Sequence, residues 1–267
     1  MKNIFNNKAR ITNAYLEKLG KDAVALIKAV GLMSLMLGSA LKLAATPPFK
    51  LKNVFKQMEF VGVQSLFVVV LTGSFTGMVL ALQSFTALKR FGAESMVGPT
   101  VALSMARELG PVLSGLMVTG RAGSAMATEL GTMRVTEQID ALATMAVNPV
   151  KHLISPRVLA GICMFPVLTI VTDFVGVIGG YLVGVRLLGI NSGVYIGRTV
   201  DLLHVQDIFS GLTKSLFFGL ITTLVACHYG YYTTGGAEGV GKAATNSVVT
   251  ASVLILVSDY ILSSFMA

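Results

Sequence analysis

The chain has 267 residues, of which 54% are hydrophobic and only 13% are charged, and its formal net charge is +8. An ordinary soluble domain carries roughly 25% charged residues. This composition excludes a disordered chain and a typical cytosolic enzyme. Because so few charges cannot cover the surface, we expect lipid to cover most of it.

The excess positive charge lies entirely at the start of the chain. Residues 1–56 contain ten Lys or Arg and two acids, whereas residues 57–267 contain eleven of each. A basic segment beside a neutral apolar body is typical of contact with an anionic membrane surface, and we expect no nucleic-acid partner. The sequence therefore predicts a basic N-terminal interfacial segment, 1–56, and a membrane domain, 57–267.

The first predicted element is an amphipathic elbow helix over Ala29–Leu41, which is short for a span and is followed by Pro47 and Pro48. A sixth, partial span is the alternative. A spanning helix needs about 20 mainly apolar residues. Five later stretches meet this requirement: Phe60–Leu88, Ser95–Gly120, Val158–Val185, Ile208–Gly236 and Ala243–Ala267. The predicted fold class is an all-α membrane protein with an interfacial elbow helix and five transmembrane helices.

The distribution of basic residues predicts the orientation. Fifteen Lys or Arg fall on the side of the N-terminus and four on the opposite side. Because cytoplasmic loops carry the excess of basic residues, we expect a cytoplasmic N-terminus and a C-terminus on the outer side. Two glycine pairs, Gly73 with Gly77 and Gly176 with Gly180, allow close helix approach in a packed bundle or at a homodimer seam.

Charged residues inside a span are costly and commonly mark a pathway. Arg107 and Glu108 lie near the middle of the second span, before Pro111, which bends a helix and frees carbonyls beside them. Adjacent side chains on a helix do not face each other, so we expect these two to have different partners.

Three further charges, Lys214, Asp173 and Asp259, all fall in the outer third of the bilayer when depth is counted along the spans. Lys214 can therefore pair with either acid. One interpretation is a polar site open to the outer side. The other is neutralisation between packed helices, or a side chain that extends to the headgroups.

The longest polar stretch between spans runs from Arg121 to Arg157. Within it, Thr136 can cap a short helix that Glu137 favours, and Asn148 with Pro149 would end that helix. A short helix on the cytoplasmic side can dock a motor subunit, or it can be an ordinary connection.

The sequence contains no recognisable catalytic or metal-binding set. Cys163 and Cys227 lie in apolar runs and are expected to be reduced packing residues. The segment Gly236–Ala243 fits G-x-x-x-x-G-K, but Ala243 stands where a Mg²⁺-binding Ser or Thr is required. We therefore expect no enzyme activity, no metal and no cofactor in this chain, and any ATP with its Mg²⁺ would be bound by a separate ATPase.

Four motifs resemble the MlaE/YrbE permeases of MCE-type ABC lipid transporters. They are Glu108-Leu-Gly-Pro111, Gly120-Arg-Ala-Gly-Ser-Ala125, the long block Glu129-Leu-Gly-Thr-Met-Arg-Val-Thr-Glu-Gln-Ile-Asp-Ala-Leu142, and Gly235-Gly-Ala-Glu-Gly-Val-Gly241. The resemblance extends from the elbow segment to the end of the chain.

This resemblance implies an inner-membrane homodimer that moves phospholipid between the inner and outer membranes of a bacterium. It implies three partners: an MlaF-like cytoplasmic ATPase, an MlaB-like STAS-domain protein and an MlaD-like periplasmic MCE hexamer. The residues implied near a lipid cavity are Arg107, Glu108, Lys214 and Asp259, with Asp173 at similar depth. Those implied in coupling to the ATPase are Glu129, Thr136, Glu137, Gln138 and Asp140.

Two other functions remain open. An ion- or proton-coupled secondary transporter could use Glu108, Asp173 or Asp259 as its titrating group. A purely structural membrane anchor would tolerate substitution of the charges without loss of transport.

Overall fold

The computed structural model describes residues 20, 24, 27–43, 46 and 51–266, and every regular element within them is helical. Most of the predicted basic segment before residue 27, and Ala267, lie outside the described residues. The eleven α-helices of the described part are α1 (27–43), α2 (Leu51–Val61), α3 (Leu66–Lys89), α4 (Val97–Ser104), α5 (Gly110–Val118), α6 (Ser124–Val135), α7 (Gln138–Thr144), α8 (Ser155–Tyr181), α9 (Ser192–Leu202), α10 (Val205–Tyr231) and α11 (Gly236–Met266).

Short π-helical turns extend or join several of these helices. Met105–Leu109 joins α4 to α5, Thr119–Gly123 joins α5 to α6, Val150–Ile154 precedes α8, and Leu182–Leu187 follows it. Within residues 51–266, five helical stretches are long and apolar enough to cross a membrane. They are Leu51–Lys89, Glu94–Val135, Val150–Leu187, Val205–Tyr231 and Gly236–Met266. The predicted all-α fold with five spans is confirmed.

The helix that contains the second predicted span continues beyond the predicted end of that span, Gly120, to Val135. Its last part, α6, buries Met126, Ala127 and Leu130 against α10 and α11 despite its polar residues. At 1.5 Å per residue, the 42 residues of Glu94–Val135 measure about 63 Å, more than the ~30 Å hydrocarbon core. One end of this helix must therefore project out of the membrane.

The elbow segment forms α1, which is not among the five spanning stretches. One face of α1 is buried, with Met36 and Ala40 packed in a cluster that includes Ile139 of α7 and Ile154. Ser155 Oγ also donates to the Ala40 carbonyl at 2.8 Å. The elbow helix is thus attached to the same part of the bundle as α7.

The glycine pairs lie at a helix contact within the chain. A Cβ on Gly77 of α3 would overlap the carbonyl of Gly176 in α8, and one on Gly73 would lie 3.0 Å from the Thr172 carbonyl. Of the two possibilities left open by the sequence, these glycines form the seam of a packed bundle. The seam brings the backbones of α3 and α8 into direct contact.

Candidate functional site

The charged residues of the second, fourth and fifth spans meet around Lys214, whose side chain is only 1% exposed. Its Nζ donates to Glu108 Oε2 at 2.7 Å, to Ser263 Oγ at 2.7 Å and to the Arg107 carbonyl at 2.9 Å. Asp259 Oδ1 lies 3.3 Å from the same nitrogen. The depth count therefore predicted the contact between Lys214 and Asp259.

Proline explains why a main-chain carbonyl takes part in this cluster. Pro111 has no N–H to donate to the Arg107 carbonyl four residues before it, so that oxygen is left to Lys214. The π turn Met105–Leu109 accommodates the proline by widening the helix. On the facing helix, a Cβ on Gly211 would overlap the carbonyl of Ala106, so glycine allows α10 to approach this turn.

Arg107 and Glu108 have different partners, as predicted. Arg107 Nε donates to Asp207 Oδ1 at 2.6 Å, whereas Glu108 faces Lys214. Asp207 is 3% exposed and also accepts the His204 N–H at 2.9 Å, which fixes the carboxylate at the start of α10. The Arg107 side chain is 60% exposed and engages Asp207 through Nε. Its two terminal nitrogens have no partner among the described residues.

The sequence analysis missed Asp207. The available signal was the spacing of His204 and Asp207, which form a reciprocal cap at the N-terminus of α10. These groups line a pocket of about 160 Å³ together with Glu108, Lys214, Gln206, Ser210, Ser263 and Met266. Within the described part of the chain, no group of three or more His, Cys, Asp or Glu side chains could hold a metal ion.

Two apolar grooves lie along α3. The first, of about 450 Å³, is lined by Leu82, Gln83, Thr86, Ala87 and Arg90. The second, of about 330 Å³, is lined by Phe75, Thr76, Val79, Leu80, Gln83 and Leu109. Gln83 belongs to both grooves. Leu109 follows Glu108 in sequence, but no residue lines both a groove and the charged pocket.

Asp173 does not join this cluster, and the predicted pairing of Asp173 with Lys214 is wrong. Its Oδ1 lies against Gly110, where a Cβ would overlap it, in the interface between α5 and α8. That oxygen is buried without a hydrogen-bond partner among the described residues. Equal depth along two helices does not fix which way their side chains point.

The predicted coupling segment contains a short helix, α7, but its ends differ from the prediction. Thr136 ends α6 instead of capping α7, because its Oγ1 donates back to the Thr132 carbonyl at 2.8 Å. Glu137 precedes α7 with a left-handed φ of 59°. Asn148 starts the next helix instead of ending α7, since its Oδ1 accepts the N–H of Val150 at 3.0 Å.

The acidic residues of this segment have different surroundings. Glu137 and Gln138 are exposed, and Gln138 donates to Thr136 Oγ1 at 3.0 Å. Asp140 pairs with Arg134 at 2.6 Å, and both side chains are solvent-accessible. This accessible surface is available to a partner.

Glu129 lies in a different contact, between α6 and α8. Its Oε2 is 2.8 Å from Nη2 of Arg157, whose side chain is 3% exposed and also donates to the Leu153 carbonyl. The sequence analysis placed Arg157 in a loop and did not predict its burial. This pair ties the start of α8 to α6.

Comparison with known proteins assigns the family. The model of the family described as "Permease MlaE" matches residues 54–265. A "Probable ABC transporter permease protein" of Rickettsia felis is 47% identical over 245 residues, which cover 92% of this chain and 95% of that protein. The "Intermembrane phospholipid transport system permease protein MlaE" of Haemophilus influenzae is 41% identical over 255 residues, 94% of this chain and 97% of that protein.

A "Probable ABC transporter permease protein" of Synechocystis is 40% identical over 215 residues, covering 80% of this chain and 82% of its own length. The region that the family model matches, residues 54–265, extends from the first spanning helix into the fifth. It includes the grooves along α3 and the residues that surround Lys214. The chain belongs to the MlaE permease family.

Proposed function

We propose that this chain is the membrane-spanning permease subunit of an ABC transporter that moves phospholipids between the inner and outer membranes and so maintains outer-membrane lipid asymmetry. The observation that carries the proposal is the charged pocket around Lys214, in which the exposed guanidinium of Arg107 has no partner for its two terminal nitrogens among the described residues. The name of the Haemophilus relative, an intermembrane phospholipid transport system permease protein that is 41% identical over nearly the whole chain, supports it.

We assign the two parts of a phospholipid to the grooves along α3 and to the charged pocket. Apolar walls such as Phe75, Val79 and Leu80 suit acyl chains, and the charged pocket suits a headgroup. A guanidinium is well suited to a phosphate because it donates two parallel hydrogen bonds. Arg107, oriented by Asp207 and otherwise exposed, is the residue that we assign to the phosphate.

The energy source in this proposal is a separate chain. The accessible face of α7, with Glu137, Gln138 and Asp140, would dock an MlaF-like ATPase that binds ATP and Mg²⁺, and α7 and the N-terminus would be cytoplasmic. The remaining proposed partners are a second copy of this chain, an MlaB-like STAS-domain protein and an MlaD-like periplasmic MCE hexamer. The positive-inside distribution of Lys and Arg supports this orientation, in which the C-terminus would be periplasmic.

A proton-coupled secondary transporter is the alternative, and Asp173 is the observation that favours it. A buried carboxyl oxygen without a hydrogen-bond partner is a candidate proton carrier within a span. The two functions differ in energy source, which makes them experimentally separable.

The test is transfer of a fluorescent phospholipid by the full chain in liposomes, with and without the co-purified ATPase. Transfer that requires the ATPase and ATP supports the proposal. Transfer driven by a proton gradient alone contradicts it. In the same assay Arg107→Gln should lower transfer, whereas Arg198→Gln, on the exposed surface of α9, should not.

A further inference from the structure

Arg121 lies outside the charged pocket, in the π turn Thr119–Gly123 of the second span. Its guanidinium reaches across to the first span. Nε donates to Ser65 Oγ at 2.7 Å, Nη1 to Gln64 Oε1 at 3.3 Å, and Nη2 to the main-chain carbonyl of Phe60. The guanidinium carbon also lies 5.0 Å from the centre of the Phe60 ring. All of these contacts fall within residues 60–65.

Residues 60–65 form the joint where the first span is interrupted. Helix α2 ends at Val61, a single 3₁₀ turn covers Val63–Ser65, and α3 begins at Leu66. Because the Ser65 N–H donates to the Gly62 carbonyl at 2.9 Å, the Val61 carbonyl loses the main-chain donor it would have in a continuous helix, and it accepts the Ser65 hydroxyl at 2.6 Å instead. Arg121 Nη2 lies 3.4 Å from that carbonyl, and a cation is also favourable at the C-terminus of α2.

The charge of Arg121 has no carboxylate partner among the described residues; oxygen dipoles and an aromatic ring compensate it instead. This distinguishes it from Arg107, Arg157 and Lys214, each of which contacts an acid. A fork that holds four groups of another helix fixes the position of that helix more closely than a single ion pair does.

Arg121 also lies at the start of an uninterrupted helical segment that leads to α7. The chain is helical without interruption from Arg121 to Val135, about 21 Å at 1.5 Å per residue, and α7 follows after two residues. On the other side of the contact, α3 carries the apolar grooves lined by Thr76, Leu80 and Gln83. Arg121 therefore connects the segment Arg121–Val135, which leads to α7, with α3, which carries the grooves.

We propose that Arg121 is a positioning residue that transmits movement of α6 and α7 to the α2–α3 joint, and thereby sets the tilt of α3 beside the groove. The inference rests on the proposed function, because it assumes that an ATPase acts on α7 and that lipid occupies the groove. Arg121 itself need not touch lipid.

The test compares Arg121→Gln and Arg121→Lys with Arg198→Gln as the matched control. The first readout is phospholipid moved per ATP hydrolysed by the chain in liposomes with its ATPase. We expect Arg121→Gln to lower this ratio about tenfold while ATP hydrolysis continues, within the usual range of coupling between sites. Lysine keeps the charge but not the fork, so Arg121→Lys should fall between wild type and Arg121→Gln.

The second readout is the distance between spin labels on α2 and α3, attached at Lys52→Cys and Lys89→Cys after Cys163 and Cys227 are replaced by Ala. Both label positions are exposed. We expect one narrow distance distribution in wild type and a broad one in Arg121→Gln. If Arg121→Gln does not fold, Gln64→Ala, which removes the acceptor of Nη1 and keeps the bond of the Ser65 hydroxyl to the Val61 carbonyl, is measured in the same way.

The outcomes separate this inference from the proposed function. If wild type moves no lipid with ATP, the proposed function fails, and unchanged distances in Arg121→Gln would still overturn the role of Arg121. Broadened distances with an unchanged lipid-to-ATP ratio would show that Arg121 only supports the fold, and would also overturn the proposal.

Discussion

Replacement of Lys214 by Met should destabilise the protein more than any other single change in the charged pocket. An ammonium group has three protons, and Lys214 uses them on Glu108, Ser263 and the Arg107 carbonyl. Asp259, at 3.3 Å, therefore receives an ionic contact without a hydrogen bond. Met keeps the length of the side chain but leaves two carboxylates and a freed carbonyl without their cation.

The structure sets the size of the expected loss. Removal of one partner from a buried ion pair costs about 3–5 kcal/mol. Glu108 is 47% exposed, so water can solvate its carboxylate once the cation is gone, and we expect the lower end, about 3 kcal/mol. Asp259→Asn removes no hydrogen bond to Lys214 and relieves the repulsion between two carboxylates at one ammonium. It should change the free energy of unfolding by less than about 1 kcal/mol.

The measurement is thermal unfolding of the full chain in detergent micelles. At about 2–4 °C per kcal/mol for a chain of this size, Lys214→Met should lower Tm by about 6–12 °C. The matched control is Lys242→Met, which removes a lysine from an ion pair with Glu238 in which both side chains are more than two-thirds exposed. Such a pair contributes about 0–1 kcal/mol. The reasoning is refuted if Lys242→Met costs as much as Lys214→Met, or if Asp259→Asn costs more.

Three further outcomes follow from single contacts. Gly77→Ala should cost about 1–3 kcal/mol, because its methyl overlaps the Gly176 carbonyl, whereas Gly241→Ala, with open space around it, should cost nothing in the same thermal assay. Glu129→Gln should cost about 2–3 kcal/mol, because it leaves the buried guanidinium of Arg157 without its counter-charge. Arg157→Met should cost less, because the carboxylate that it leaves is half exposed; equal losses would contradict this. Asp140→Arg should weaken co-purification of an ATPase without lowering Tm, because its ion pair with Arg134 is accessible to solvent.

Much of the fold could be predicted because membrane spans are defined by composition over about 20 residues. The same reasoning placed residues 121–135 in a polar loop, whereas they continue the second helix. Arg121 and Glu129 resemble loop residues by charge, yet Arg121 is compensated by oxygen atoms of the first span and Glu129 pairs with buried Arg157. A hydropathy value depends only on the residue itself. It therefore cannot show that a residue far along the chain compensates a charge.

The pocket around Lys214 was predicted in part for a similar reason. Helical rise gives depth, which brought Lys214 and Asp259 to one level, and the missing N–H of Pro111 gives a freed carbonyl. Rotation about the helix axis is set by packing, so the sequence did not separate Asp259 from Asp173. The structure distinguishes the two acids: Asp173 Oδ1 lies against Gly110, whereas Asp259 faces Lys214.

Lys214, Arg157, Arg107 and Arg121 differ in how their charges are compensated. This difference predicts whether substitution of each cation lowers stability or lowers transport. Lys214 and Arg157 are almost fully buried against carboxylates, so their removal should be measured mainly as lost stability. Arg107 has one buried carboxylate partner and two terminal nitrogens open to a ligand, so its removal should be measured mainly as lost transport. Arg121 is held by the joint of another helix, so its removal should change the amount of lipid moved for each ATP. The fold fixes the burial and the partner of each cation. The expected effect of each substitution, on stability, on transport or on the lipid moved per ATP, can therefore be assigned from the structure without a bound lipid.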